Sequence, residues 1–155
     1  MKIILFKFEK EMIHFLEYHL THQDFQINKK EKIPLTSAKT RGGKYQQILH
    51  ELNHIKNTFS FDSFAYQAPQ KYRGAIKDEE SFANASILHL FSEQQHIELL
   101  ELTPPKVRDR LSIPNKDFKL RLEQEKKRIV ENHVITKSDK LLDGLVLLSL
   151  SNNKP

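Results

Sequence analysis

The 155-residue sequence contains no cysteine, which excludes a disulfide framework, a thiolate zinc site and a cysteine nucleophile. Tryptophan is absent too, and only four glycines and six prolines are present, so neither a collagen-like nor a low-complexity chain is indicated. Long hydrophobic runs are also missing. The last one, Leu141 to Leu150, is broken by Asp143 and Gly144 and falls well short of the ~20 apolar residues a spanning helix needs. The opening Met-Lys-Ile-Ile-Leu-Phe meets Lys7, Glu9, Lys10 and Glu11 with no small-residue cleavage site. No secretion signal and no membrane partner are expected, and the reading is a cytoplasmic protein.

What is present is an ordinary globular balance, 38% hydrophobic and 29% charged, at a length that suits one domain with a real core. The expected domain covers residues 1–151, with a short tail at 152–155. Formal charge is +5, and between Pro104 and Arg128 nine Lys/Arg face four Asp/Glu, so that stretch alone carries an excess as large as the whole chain's. A local surplus of this kind suits a polyanion such as DNA or RNA.

The pattern predicts three strands first: Ile3 to Phe8, Met12 to Leu20, and Asp24 to Leu35, where Phe25, Ile27 and Ile33 alternate with polar residues. Gly42-Gly43 punctuates the chain. Tyr45, Ile48, Leu52, Ile55 and Phe59 then recur at helical spacing, predicting a helix from Lys44 to Phe59. A buried strand over Phe61 to Ala68, a basic loop over Lys71 to Lys77, and a helix opening on Asp78-Glu79-Glu80 follow. Ile97 to Leu102 is a short strand stopped by Thr103-Pro-Pro; helices run to Leu111, from Lys116 to Asn132, and beyond Ser138 as N-cap. The architecture is α/β, a mixed sheet covered by helices.

His50-Glu51-Leu52-Asn53-His54 is an HExxH on the first helix, where two imidazoles one turn apart can hold zinc with the glutamate as base. With Ile48 at zero and about 100° per residue, the apolar stripe spans about −20° to +60°, while His50 and His54 fall near 200° and 240°. The histidines point away from the core, and no third ligand is fixed by spacing. A solvated helix face outweighs the zinc hydrolase reading.

Asp143 stands in a segment apolar nearly all round, where an isolated carboxylate is costly without a cation or several donors. It is therefore expected to be buried and paired. Two readings stay open: a structural salt bridge with Lys140, or a carboxylate at a metal-dependent site.

From Asp62 onward the chain resembles the RuvC-like Holliday-junction resolvase branch of the ribonuclease H-like superfamily. Asp62-Ser-Phe-Ala-Tyr-Gln is similar to that family's fourth strand, and Phe82-Ala-Asn-Ala-Ser-Ile-Leu to the small-residue helix after it. Ile97-Glu-Leu-Leu-Glu-Leu-Thr-Pro-Pro-Lys-Val resembles its next strand and turn, and Asp143-Gly-Leu-Val-Leu its closing helix. The resemblance implies a ribonuclease H-like fold, three antiparallel strands followed by parallel ones. It also implies a nuclease in which about four carboxylates hold two divalent metals, magnesium or manganese, roughly 3.5 to 4 Å apart.

Most of those acids are missing. The resemblance places Phe8 at the first-strand aspartate, Gln67 at the fourth-strand glutamate and Lys140 at one acid of the closing helix, leaving Asp143. Candidate substitutes are Glu9, which one step along the strand turns to the opposite face unless a bulge intervenes, and Asp139, one turn before Asp143 on the same helix face. The expectation is a nucleic-acid-binding protein with a weakened or lost nuclease site. Its phosphate contacts would come from Lys71, Arg73, Lys77, Lys106, Arg108, Arg110, Lys116 and Lys119. Tyr72 would stack on an unpaired base. Structured or branched DNA is the favoured partner, with RNA and a homodimer left open. An active metal-dependent endonuclease built on Glu9, Asp139 and Asp143 is the alternative.

Overall fold

The computed structural model describes residues 1–69 and 78–152, together with the backbone of 71–72 and 75–76. Strands β1 (Lys2–Phe8), β2 (Met12–Leu20) and β3 (Phe25–Pro34) form an antiparallel meander, and helix α1 (Arg41–Thr58) carries the chain across to β4 (Ser63–Gln67), parallel to β1. After the small hairpin β5 (Lys71–Tyr72) and β6 (Ala75–Ile76) comes α2 (Glu79–Gln95), then β7 (Leu99–Leu102), parallel to β4. Helices α3 (Pro104–Leu111), α4 (Asn115–Asn132) and α5 (Leu142–Asn152) complete the described chain. The five-stranded sheet has the order β3-β2-β1-β4-β7, three antiparallel strands continued by parallel ones.

Two cores form because β1 is buried on both faces. Ile4, Phe6 and Phe8 of β1, with Ile13 and Phe15 of β2, pack under Ile48, Leu52 and Ile55 of α1 and Ala85, Leu88 and Phe91 of α2. Ile3 and Leu5, with Leu16 and Tyr18, pack on the other side against Leu145 and Leu148 of α5, with Val107 of α3 and Phe118 and Ile129 of α4. Helix α5 lies between the sheet and α4, which is why its sequence is apolar almost throughout: Leu142 and residues 144–150 are all buried. Each of its buried leucines, and Val146, contributes about 1.5 to 3 kcal/mol by leaving water.

Local signals account for the ends. Thr40, not Lys44, opens α1, its Oγ1 accepting from Gly43 N–H at 3.0 Å. The glycine pair that read as a stop sits inside the first turn, and a Cβ on Gly43 would crowd that same oxygen. Asp78 caps α2 by accepting from Ser81 N–H and Oγ–H. At the other end His96 takes a left-handed conformation (φ 55°) and Ile97 N–H returns to Ser92 O, so β7 starts only at Leu99. The expected loop over residues 71–77 contains the β5–β6 hairpin.

Candidate functional site

The carboxyl end of β1 decides which side chains meet α5. Ile3 and Leu5 face α5 while Ile4, Phe6 and Phe8 face α1 and α2, so alternation puts Lys7 and then Glu9 on the α5 side. Phe8, which the resemblance set at the first-strand acid, faces away from α5: its ring is buried and stacks on Phe6 in the opposite core. Glu9 reaches the α5 side with no bulge. The register Phe6↔Tyr66 in β1–β4 sets Lys7 level with Gln67, and Lys7↔His14 and His14↔Lys32 extend the row across the sheet. Lys32, His14, Lys7 and Gln67 thus line one end of one face.

The segment entering α5 lies over this row. Asp139 is not one turn before Asp143 on a helix, because α5 begins at Leu142; its Oδ1 accepts from Leu141 N–H at 2.9 Å and its carbonyl from Leu142 N–H. It is Asp139, rather than Ser138, that closes the entry to the helix. Asp139 Oδ2 is paired with Lys30 Nζ of β3. Burial alone would raise the Asp139 carboxyl, but the hydrogen bonds from Lys30 and Leu141 outweigh it and hold it below the ordinary aspartate value.

Lys140 pairs with Glu9, Nζ to Oε1 3.9 Å, and not with Asp143. Asp143 is the exposed residue of the first turn of α5, its side chain 65% accessible and 3.6 Å from Lys126 of α4. A helix packed on the sheet and on α4 still leaves a strip open to water, and Asp143 occupies it. Next to it Gly144 sits directly on Gln67: an added Cβ would stand 3.3 Å from Gln67 Cβ and 3.5 Å from Leu5 Cδ1. Beneath this contact Gln67 Oε1 is buried without a hydrogen-bond partner.

Glu9 Oε1 also lies 3.1 Å from His14 Nε2, close enough to favour the charged imidazole. Burial lowers the His14 pKa, Lys7 and Lys32 lower it further, and Glu9 only partly opposes them.

No protein-family model and no curated protein matches the sequence. Solved structures do. RuvC of Thermus thermophilus superposes with a TM-score of 0.68 at 9% identity over 97% of this chain and 92% of that one. This chain has the RuvC-like, ribonuclease H-like fold. The same Thermus protein in complex with a Holliday junction substrate gives 0.64 at 10% identity over the same shares. The yeast mitochondrial Holliday junction resolvase Ydc2 gives 0.58 at 15% identity over 96% of this chain and 76% of that one.

Two divalent ions held about 3.5 to 4 Å apart need several carboxylates converging on them. The residues where β1, β4 and α5 meet do not supply such a set. Lys7 and Gln67 fill the strand ends, Glu9 and Asp139 are each already paired with an ammonium, and Asp143 turns outward to Lys126. Among the described residues no three His, Asp or Glu side chains converge closely enough for a metal ion. Asp139 and Asp143 are instead each placed beside a lysine, Lys30 and Lys126. Lys7, His14 and Lys30 escaped the sequence reading, although Lys7, the one charged residue inside the apolar run of β1, marks the side that is not core.

Beyond this cleft the RuvC-like fold carries its basic stretch on α3 and α4. Lys106 is paired with Glu101 at 2.7 Å and Arg108 with Asp109 at 3.1 Å. Arg128 is committed to structure, donating to Glu125 and Asp24. Among the described residues no acid lies within ion-pairing distance of Arg110, Lys116 or Lys119, nor of Arg121, which the sequence reading did not single out. The side chains of Lys71 and Tyr72, and Arg73 and Lys77, lie outside the described residues. His50 and His54 are exposed on α1, on the side away from buried Ile48, Leu52 and Ile55.

Proposed function

We propose that this protein binds structured DNA, four-way junctions foremost, without metal-dependent cleavage. The observation that carries the reading is Lys7 facing α5 level with Gln67, which puts a cation and an amide, and no carboxylate, at the paired ends of β1 and β4. The likeness to a resolvase seen with a Holliday junction supports the choice of DNA. Arg110, Lys116, Lys119 and Arg121, free of acidic partners among the described residues, supply phosphate contacts that need no particular base sequence.

The test is fluorescence anisotropy with a labelled four-way junction, a matched duplex and a single strand, at several salt concentrations, together with incubation in magnesium or manganese. Junction binding whose log affinity falls linearly with log salt, with the DNA left uncut, is the expected result. Failure to bind any of the three at low salt would remove the nucleic-acid reading. Metal-dependent cutting lost in Asp143→Asn would promote the nuclease alternative.

A further inference from the structure

The lost metal site is not a neutral plug. Lys30 and Lys140 are matched by Asp139 and Glu9, but among the described residues no acid lies within ion-pairing distance of Lys7 or Lys32. Those two lysines flank His14 in one cross-strand row, two strand spacings or about 9.6 Å apart at the backbone. Like charges set across neighbouring strands repel, and their fields meet on His14, whose protonated form is already disfavoured by burial. Glu9, 3.1 Å from His14 and 3.9 Å from Lys140, is the nearest carboxylate and only partly offsets this surplus. The first turn of α5 opens over the same place, where the N–H groups of Asp143 and Gly144 have no intrahelical acceptor and the helix dipole is positive. Lys140, 61% exposed, hangs over the rim.

We propose that Lys7 and Lys32 seat a backbone phosphate of bound DNA at the end of β1, with Lys140, paired with Glu9, at the rim. The inference rests on the DNA-binding reading above and adds the place and the groups. Two ammonium groups together give a phosphate the charge of one divalent ion, but they activate no water, so the strand is held and not cut. Binding through this cradle needs no divalent metal.

The experiment is junction binding in EDTA across a salt series, with Lys32→Gln, the Lys7→Gln/Lys32→Gln pair and Lys32→Arg. The cradle seats one phosphate, so losing it makes the log affinity against log salt line shallower by about 0.9; Lys32→Gln should lose part of that and the pair most of it, while Lys32→Arg keeps the parent slope. Lys32 is exposed, so the single variant tests the idea even if the pair fails to fold. Parent-like slopes in the glutamine variants, with the junction still bound, overturn the cradle and leave the DNA-binding reading standing. The same slope loss in Lys32→Arg as in Lys32→Gln would also overturn it, because charge would not be the cause. A parent protein that binds no junction at all removes both.

Discussion

Gly144 rests against Gln67 closely enough that its missing side chain is part of the packing: a Cβ there would lie 3.3 Å from the Gln67 Cβ. The first turn of α5 can approach β1 and β4 only because nothing projects from that position. Gly144→Val should destabilise the protein by about 1 to 3 kcal/mol through overpacking. Urea unfolding followed by circular dichroism measures it, and an unchanged midpoint would contradict the close approach.

Lys140 would be costly to remove if it neutralised a buried Asp143. The structure instead shows it 61% exposed and 3.9 Å from a half-exposed Glu9. Lys140→Ala should therefore change stability by less than about 1 kcal/mol. A larger loss would show that the pair with Glu9 is far better desolvated than its geometry indicates.

Acid should weaken the fold through the cluster that ties β3 to α4 and α5. Glu125 accepts from Arg128 and from Ser149 Oγ–H, and Asp24 accepts from Arg128 and lies 3.3 Å from His133. Burial raises both carboxyls, but the hydrogen bonds to Arg128 outweigh it, so both end below their ordinary values. A carboxylate lowered on folding stabilises the protein above its unfolded pKa, about 4, and that stability is lost as pH falls through the lower folded value. His14, whose folded pKa also lies below 6.5, adds a loss that begins as pH drops through about 6.5, because the unfolded chain then takes up the proton first. Denaturation midpoints should decline in these two windows. Arg128→Ala should cost about 2 to 3 kcal/mol at neutral pH by stranding Glu125, and should flatten the lower window. A decline there as steep as the parent's would rule the cluster out as its source.

Rebuilding the acidic positions gives the reverse test. Lys7→Asp with Gln67→Glu and Lys140→Asp would set three carboxylates around the start of α5. Manganese should then raise the melting temperature of the variant and leave that of the parent unchanged. A variant indifferent to manganese would show that these three positions do not converge.

The sheet and α1 were legible because their signals are local: apolar strand runs, the three-and-four spacing of Ile48, Leu52 and Ile55, and acids opening α2. The phase of β1 was not. A strand buried on both faces reads as one continuous apolar run, and within Ile3 to Phe8 only Lys7, its one charged interruption, marks which residues look toward the start of α5. Asp143 misled for a related reason. α5 is apolar nearly all round, and only its docking against the sheet and α4 shows which strip stays wet. The pair Lys30 and Asp139 joins residues 109 positions apart, which no spacing rule can foresee.

The place of β1 in the sheet bears on how the chain is made. It precedes the sheet's other four strands in the chain and yet lies in the middle, and its second partner, β4, follows only after α1, as the bond from Lys2 N–H to Asp62 across 60 residues records. Until Ser63 to Gln67 arrive, the nascent meander presents an open, aromatic-rich strand edge, the kind of surface on which chains pair with one another. A fragment ending at Thr58 would keep that edge permanently bare, so the N-terminal half is poorly suited to life on its own, and productive folding waits for the fourth strand.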